Sequence, residues 1–171
     1  ALSRQSLTDP LTMTGNRRWL MDRGGEAMSR AERTSTPLAV VVFKLDDFPE
    51  LAKAHGHSAG DNVLIEAVEI VRAHTRPYDL LARIGAAEFC LILPDGDLET
   101  AVIVADRIRM SFAGTSVAGL PAGTVTASFG VAARERDEKS LAAMMARADD
   151  RLYLPNGEIR DAVHVAPRIR T

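Results

Sequence analysis

Arg76 and Asp79 stand three residues apart, an arginine and a carboxylate separated by Pro77 and Tyr78. Taken alone, a pair at this common spacing reads as a surface ion pair worth at most about 1 kcal/mol. A second group of chemistry-bearing residues surrounds Lys44. Asp46 lies two positions beyond it, and Glu88 follows the small-residue stretch Gly85-Ala86-Ala87. Carboxylates that converge can hold a hard cation, whereas an ammonium set among them repels one. If the strand through Lys44 continues, Asp46 shares its face, while Glu88 points to the face opposite Ala87. Glu88 is expected to take a structural partner, with Lys44 across the sheet as one candidate and a plain surface charge as the other. His55, His57, His74 and His164 have no spacing that suggests a metal site. Cys90 is the single cysteine and lies in an apolar run. It cannot form an internal disulfide, reads as a small core residue, and fits a reducing compartment.

The elements that must position these groups follow from periodicity. Asn16 to Arg33 repeats apolar and small residues at helical spacing, weakened by Gly24 and Gly25 at about 1 kcal/mol each relative to alanine. Trp19 is expected to anchor that helix to a sheet. Leu38 to Phe43, after Pro37, is a continuous apolar and β-branched run, short enough for a strand buried on both faces. A short helix through Leu51 to His55 follows. Gly56 and Gly60 then break the chain before Asp61, which is predicted to cap a long amphipathic helix ending near His74. Leu80 to Ile84 and Phe89 to Leu93, joined through Gly85, form a β-hairpin. Leu98 to Phe112 is helical, Val125 to Ala132 a strand, and Leu141 to Tyr153 helical with Met144 and Met145 as core filler. Ala162 to Val165 is a last short strand. The order is β-α-α-β-β-α-β, then α-β. This is an α/β (α+β) chain of ferredoxin-like kind, in which a hairpin lies centrally in a mostly antiparallel sheet with helices on one face. Residues 1–8 read as a linker from an upstream region and 9–171 as one domain, without internal repeats.

Composition narrows the function classes. With 171 residues, 46% of them hydrophobic, 26% charged and a net charge of -2, the chain suits one core and lacks the basic excess needed to grip a nucleic acid polymer. No apolar run reaches the roughly 20 residues that span a bilayer, and the amino terminus has no signal-peptide segment. Beginning at Ala1, the chain is expected to be cut from a longer protein with attached sensor or output domains. A cytoplasmic setting is expected, including that of the cytoplasmic part of a membrane-anchored protein.

Several landmarks then fall in order along the chain: Asp9-Pro10-Leu11-Thr12 with Asn16-Arg17-Arg18, Gly56-His57 with Gly60-Asp61, Gly85-Ala86-Ala87-Glu88-Phe89, Thr126 to Gly130, and Arg147-Ala148-Asp149 with Tyr153. Together they cover nearly the whole chain and resemble the GGDEF family of diguanylate cyclases, whose fold is nucleotidyl-cyclase-like. The resemblance implies condensation of two GTP molecules into cyclic di-GMP across a dimer, a phosphoryl transfer that depends on magnesium or manganese.

It also implies where this chain departs. The family's metal ligands fall on Lys44 and Ala87, so two negative charges are lost and a positive one appears; Gly85 and Glu88 remain of the motif. Ala86 stands where the family has glycine. If that turn requires positive φ, alanine costs about 1 to 2 kcal/mol and the turn is reshaped. The guanine-reading asparagine falls on Ala52, while its companion Asp61 is kept. A phosphate-binding lysine falls on Asn156, with Arg160 matching its arginine partner, and Pro49 replaces a usual lysine. No catalytic residues, metal or cofactor are therefore expected. Arg76 and Asp79 precede Gly85 at the interval of the family's RxxD inhibitory site, and Arg107 matches a further arginine used there. An arginine fork can bind phosphate or the Hoogsteen edge of guanine, and an aspartate can accept from guanine N1 and N2. The expected function is that of an inactive domain serving as a cyclic di-GMP receptor, with ligand-promoted homodimerisation. The competing readings are a dimerisation module without ligand, and a cyclase with residual activity in which Asp46 holds a metal.

Overall fold

The computed structural model describes residues 6–153 and 160–169. At its centre is β1 (Leu38–Leu45), paired antiparallel with β3 (Glu88–Pro94) on one side and β4 (Ala127–Ala133) on the other. β2 (Leu80–Arg83) extends the sheet beyond β3, and β5 (Val163–Val165) pairs parallel with β4. The strand order is β2-β3-β1-β4-β5, so the fold is a mixed α/β arrangement with a mostly antiparallel sheet flanked by helices.

Two expectations about that sheet are corrected. The hairpin β2–β3 forms one edge of the sheet and not its middle. Helices also cover both faces. Ala39, Val41 and Phe43 face α3 (His57–Arg72) and α4 (Leu98–Gly114), while Leu38, Val40 and Val42 face α1 (Arg17–Thr34) and α5 (Leu141–Asp149). The cause is legible in β1 itself. A strand apolar at every position from Leu38 to Phe43 leaves unfavourable apolar surface exposed unless both faces are covered.

Phe43 fixes the register. Its ring stacks at 5.3 Å from Phe89 and 5.1 Å from Phe129, the residues directly opposite it on the two neighbouring strands. Cross-strand aromatic pairs of this kind pin a register, because a one-residue slip would turn every ring to the other face. Lys44 is thereby set opposite Glu88 and Ser128.

Gly24, read from sequence as a weak point of α1, has a packing role. It is buried, and a methyl there would overlap Leu141 and Ile92. Gly130 similarly lets the Ala148 carbonyl approach β4, which brings the end of α5 onto the sheet. Trp19 packs partly buried on the α1 side, against Gly15.

The expected cap at Asp61 is also corrected. α2 (Phe48–His55) ends at Gly56, whose φ of 93° makes the break, and α3 begins at once with His57. Gly60 and Asp61 lie inside α3. Gly60 is buried against Ala52 and Phe48 of α2, and Asp61 is exposed. The 3₁₀ turn Asp150–Leu152 follows α5, so the helical periodicity that ran to Tyr153 covers two elements.

Candidate functional site

The loop between α3 and β2 is built around Asp79. Its carboxylate accepts from the Arg76 backbone N–H at 2.7 Å and from the Arg76 guanidinium at 3.4 Å. The Asp79 side chain is only 2% exposed, against 43% for that of Arg76. The guanidinium also donates to the Pro94 carbonyl at 3.3 Å and lies 4.6 Å from the centroid of the Tyr78 ring. Asp79 therefore caps its own turn and faces inward, while Arg76 is held at the surface. Nearby, His74 Nε2 and Ser111 Oγ of α4 hydrogen-bond at 2.8 Å. Arg107, one turn before Ser111, is exposed on α4. Beside the loop is a cavity of about 620 Å³ lined by Tyr78, Leu80, Pro94, Pro37 and the α1 residues Arg23 and Arg30.

The second region lies at the other end of β1. Lys44 directs its ammonium at the Tyr153 ring, 4.2 Å from the centroid. Opposite it, burial and a hydrogen bond with Asp149 raise the Glu88 carboxyl to about 7, against the pull of Lys44 and Arg17. Burial also raises the Tyr153 hydroxyl above its usual range, with Glu88 and Asp149 adding to the effect. Glu88 thus lies beside the Asp149 carboxyl, and Lys44 acts on it through space. Ala87 packs against the opposite face of the sheet, next to the phenylalanine cluster.

Asp46 is committed elsewhere. One carboxylate oxygen accepts from Thr126 Oγ1 at 2.6 Å and from the Asp161 N–H at 2.9 Å, and the other accepts from Ser128 Oγ at 2.6 Å. It ties β4 and the chain before β5 to the end of β1. Among the described residues, no three histidine, cysteine, aspartate or glutamate side chains are grouped to hold a metal ion.

The hairpin turn needs no special backbone. Ala86 and Ala87 are absent from the residues with positive φ, as is Gly85. The alanine at 86 therefore carries none of the strain considered from sequence. Arg83 grips the Ala86 carbonyl at 2.6 Å and bridges to Asp9 at 3.3 Å, and Leu45 N–H donates to the Ala87 carbonyl at 3.0 Å. Asp9 is in turn fixed by Thr12, and these hydrogen bonds with the Arg83 charge hold its carboxyl below the usual range against the opposing effect of burial.

Of the residues that the resemblance suggested for a nucleotide pocket, Ala52 and Asp61 sit on α2 and α3, and Asn156 lies outside the described residues. Arg160 pairs with Asp47 and lines a cavity of about 360 Å³ with Asp46, Glu50, Leu51 and Thr126. Asp149, Arg17 and Tyr153 around Lys44 and Glu88, and Tyr78 beside Arg76, had no chemical role in the sequence reading. Tyr78 lies between Arg76 and Asp79 in the sequence.

Comparison with known proteins decides the family. Residues 6–159 match the family described as diguanylate cyclase, GGDEF domain. The chain belongs to the GGDEF family. It is 33% identical over 161 residues to the response regulator PleD of Caulobacter vibrioides, covering 92% of this chain and 36% of that one. It is 34% identical to the diguanylate cyclase DgcP of Pseudomonas aeruginosa, covering 95% and 24%. The chain therefore spans about a third or less of the length of these relatives. The GGDEF domain of DgcB from Caulobacter crescentus, solved in complex with c-di-GMP, superimposes with a TM-score of 0.88 at 27% identity, covering 98% of this chain and 97% of that one. Diguanylate cyclase SiaD from Pseudomonas aeruginosa, solved with its activator SiaC, gives 0.85 at 34% identity, covering 94% and 62%. Among the described residues no helix is long and apolar enough to cross a membrane.

Proposed function

We propose that this GGDEF domain is catalytically silent and acts as a cyclic di-GMP receptor through Arg76 and its loop. The observation that carries the reading is the fate of charge at the end of β1. At the two positions where the resemblance implies metal ligands stand an ammonium, Lys44, and a methyl, Ala87. The carboxylates nearby are engaged elsewhere, Asp46 by three hydrogen bonds and Glu88 by Asp149. A hard divalent cation needs several oxygen ligands free to converge, and these residues do not suit one. No reaction step is therefore assigned to a metal here.

The Arg76 loop supports the other half of the proposal. Its guanidinium is held by Asp79, Pro94 and Tyr78 and remains accessible. A fixed planar fork can engage a phosphate or the O6 and N7 of guanine with little further loss of freedom. Arg107 would complete the site, from the same molecule or from a second copy joined by the ligand. The 98% overlap with a domain solved in complex with c-di-GMP makes that nucleotide the first ligand to test. On this reading residues 9–171 form the working unit, placed in the cytoplasm and attached to further domains.

Calorimetric titration of cyclic di-GMP into the protein tests the proposal. Binding is expected, with strong weakening in Arg76→Ala. Asp79→Ala should also weaken it, because the turn that presents Arg76 loses its cap. No heat at high protein concentration, or unchanged binding in Arg76→Ala, removes the reading.

A further inference from the structure

We propose that the outer edge of β5, with the apolar groove between it and α4, is a docking site for an extended segment of a partner protein in which apolar residues alternate with acidic ones. β5 is an end strand of the sheet, bound on one side only, by β4. In that parallel ladder the Ala162 carbonyl accepts from the Phe129 N–H, and the Ala166 N–H donates to the Val131 carbonyl. Residues that alternate with these turn their backbone groups the other way. The N–H and C=O of Val163 and Val165 therefore point out of the sheet edge, and among the described residues none pairs with them. An open row of this kind is the template on which an added strand forms.

The two faces of the strand set what the added segment must carry. Val163 packs on the core shared with α4, and Val165 is 41% exposed. Both line a cavity of about 570 Å³ whose other wall is Val102 and Ile103 of α4, with Ile103 44% exposed. Apolar side chains two residues apart on an added strand reach this wall. His164 points to the opposite face, and the exposed Arg168 follows the strand. The carboxylates nearest the groove do not balance these basic groups, since Asp106 and Asp161 both hold Arg109. Carboxylates placed between the apolar residues of the segment complete the match. A second copy of the chain fits less well. Antiparallel self-pairing of Val163 with Val165 sets His164 against His164 and brings Arg160 and Arg168 together, cation against cation. Pro167 has no N–H, so pairing ends there and the added strand is short.

The probe is a synthetic peptide with the core Glu-Val-Glu-Val-Glu, acetylated and amidated, titrated into the isotope-labelled chain and followed by amide resonances and amide exchange. Saturable shifts are expected at residues 162–166 and at Val102 and Ile103, with the Val163 and Val165 amides exchanging more slowly once peptide is bound. Val165→Pro removes an outward donor where an edge strand tolerates proline, and should weaken binding at least about tenfold. Ile103→Ser leaves the sheet untouched and should weaken binding about fivefold through lost apolar contact. A Lys-Val-Lys-Val-Lys peptide should bind more weakly than the acidic one, and added salt should narrow the difference. No saturable shift with peptide in large excess, or equal binding by wild type, Val165→Pro and Ile103→Ser, overturns the proposal. Equal binding of the two peptides overturns the acidic character of the partner. Concentration-dependent dimerisation that Val165→Pro abolishes overturns it in favour of a second copy.

Discussion

The α3–β2 loop and the end of β1 both carry arginine or lysine beside carboxylates, and they handle the charge in opposite ways. In the loop, Asp79 is buried under Arg76 and spends its oxygens on holding that arginine at the surface. At the end of β1, Asp46 is consumed by Thr126, Ser128 and a backbone N–H. There Glu88 is pushed to about 7 by burial and Asp149, and Lys44 turns to Tyr153. One region uses a carboxylate to present a cation, and the other uses its charged groups to close the structure on itself. The difference teaches that counting charged residues near a motif says little about binding. What decides it is whether the partner of each charge lies inside the protein or is left for a ligand.

The change expected to collapse both regions together is Phe43→Ala, since its ring stacks across β3 and β4 and sets the register that both depend on. A loss of about 3–5 kcal/mol is expected for deleting a buried phenylalanine ring, read from urea unfolding. Arg76→Ala should separate the two. Cyclic di-GMP affinity should fall at least about tenfold, or about 1.4 kcal/mol, while unfolding loses no more than about 1 kcal/mol, because the buried Asp79 carboxylate keeps its hydrogen bond from the residue-76 backbone N–H. If instead stability drops and affinity does not, the loop is structural and the contrast is lost.

Glu88→Gln probes the closed region alone. Below about pH 4.5 the Glu88 carboxyl is protonated in folded and unfolded chains alike, and between there and about 7 the unfolded chain releases its proton first. The stability contribution therefore falls as pH rises through that window and is flat above it. Glutamine removes the dependence, so the variant should be more stable than wild type by about 1–2 kcal/mol at about pH 8, with little difference at about pH 4. A thermal-unfolding series across pH measures this, and a wild-type advantage at about pH 8 would contradict the assigned pairing with Asp149. The smallest effect is expected from Ala86→Gly. With no positive φ to relieve, glycine should destabilise by about 0.5 kcal/mol through added freedom of the unfolded chain. A gain in stability would show a strained turn.

Much of the architecture was readable because its signals are local. The unbroken apolar run Leu38–Phe43 announced a strand covered on both faces, although the ferredoxin-like analogy placed helices on only one. Gly85 between two apolar segments marked the hairpin, but strand order depends on pairings far apart in sequence, so its place at the sheet edge was not visible. Gly60 looked like a breaker because glycine next to an N-capping residue type usually is. Its actual role is contact with Ala52 and Phe48, which no local pattern encodes. The candidate site divides the same way. Arg76 and Asp79 were singled out by the family resemblance, through their interval to Gly85, and the structure shows them as one hydrogen-bonded unit. The pairing of Glu88 with Asp149 joins residues 61 positions apart and had no sequence signal. The inward turn of Asp79 depends on a backbone geometry that spacing alone does not fix.

The most direct test incubates the purified chain at high concentration with GTP and magnesium or manganese, then separates the products by chromatography alongside a parallel titration with cyclic di-GMP. The expected result is that GTP is recovered without cyclic di-GMP formation while added cyclic di-GMP binds. Steady accumulation of cyclic di-GMP from GTP by the wild-type chain would contradict the account.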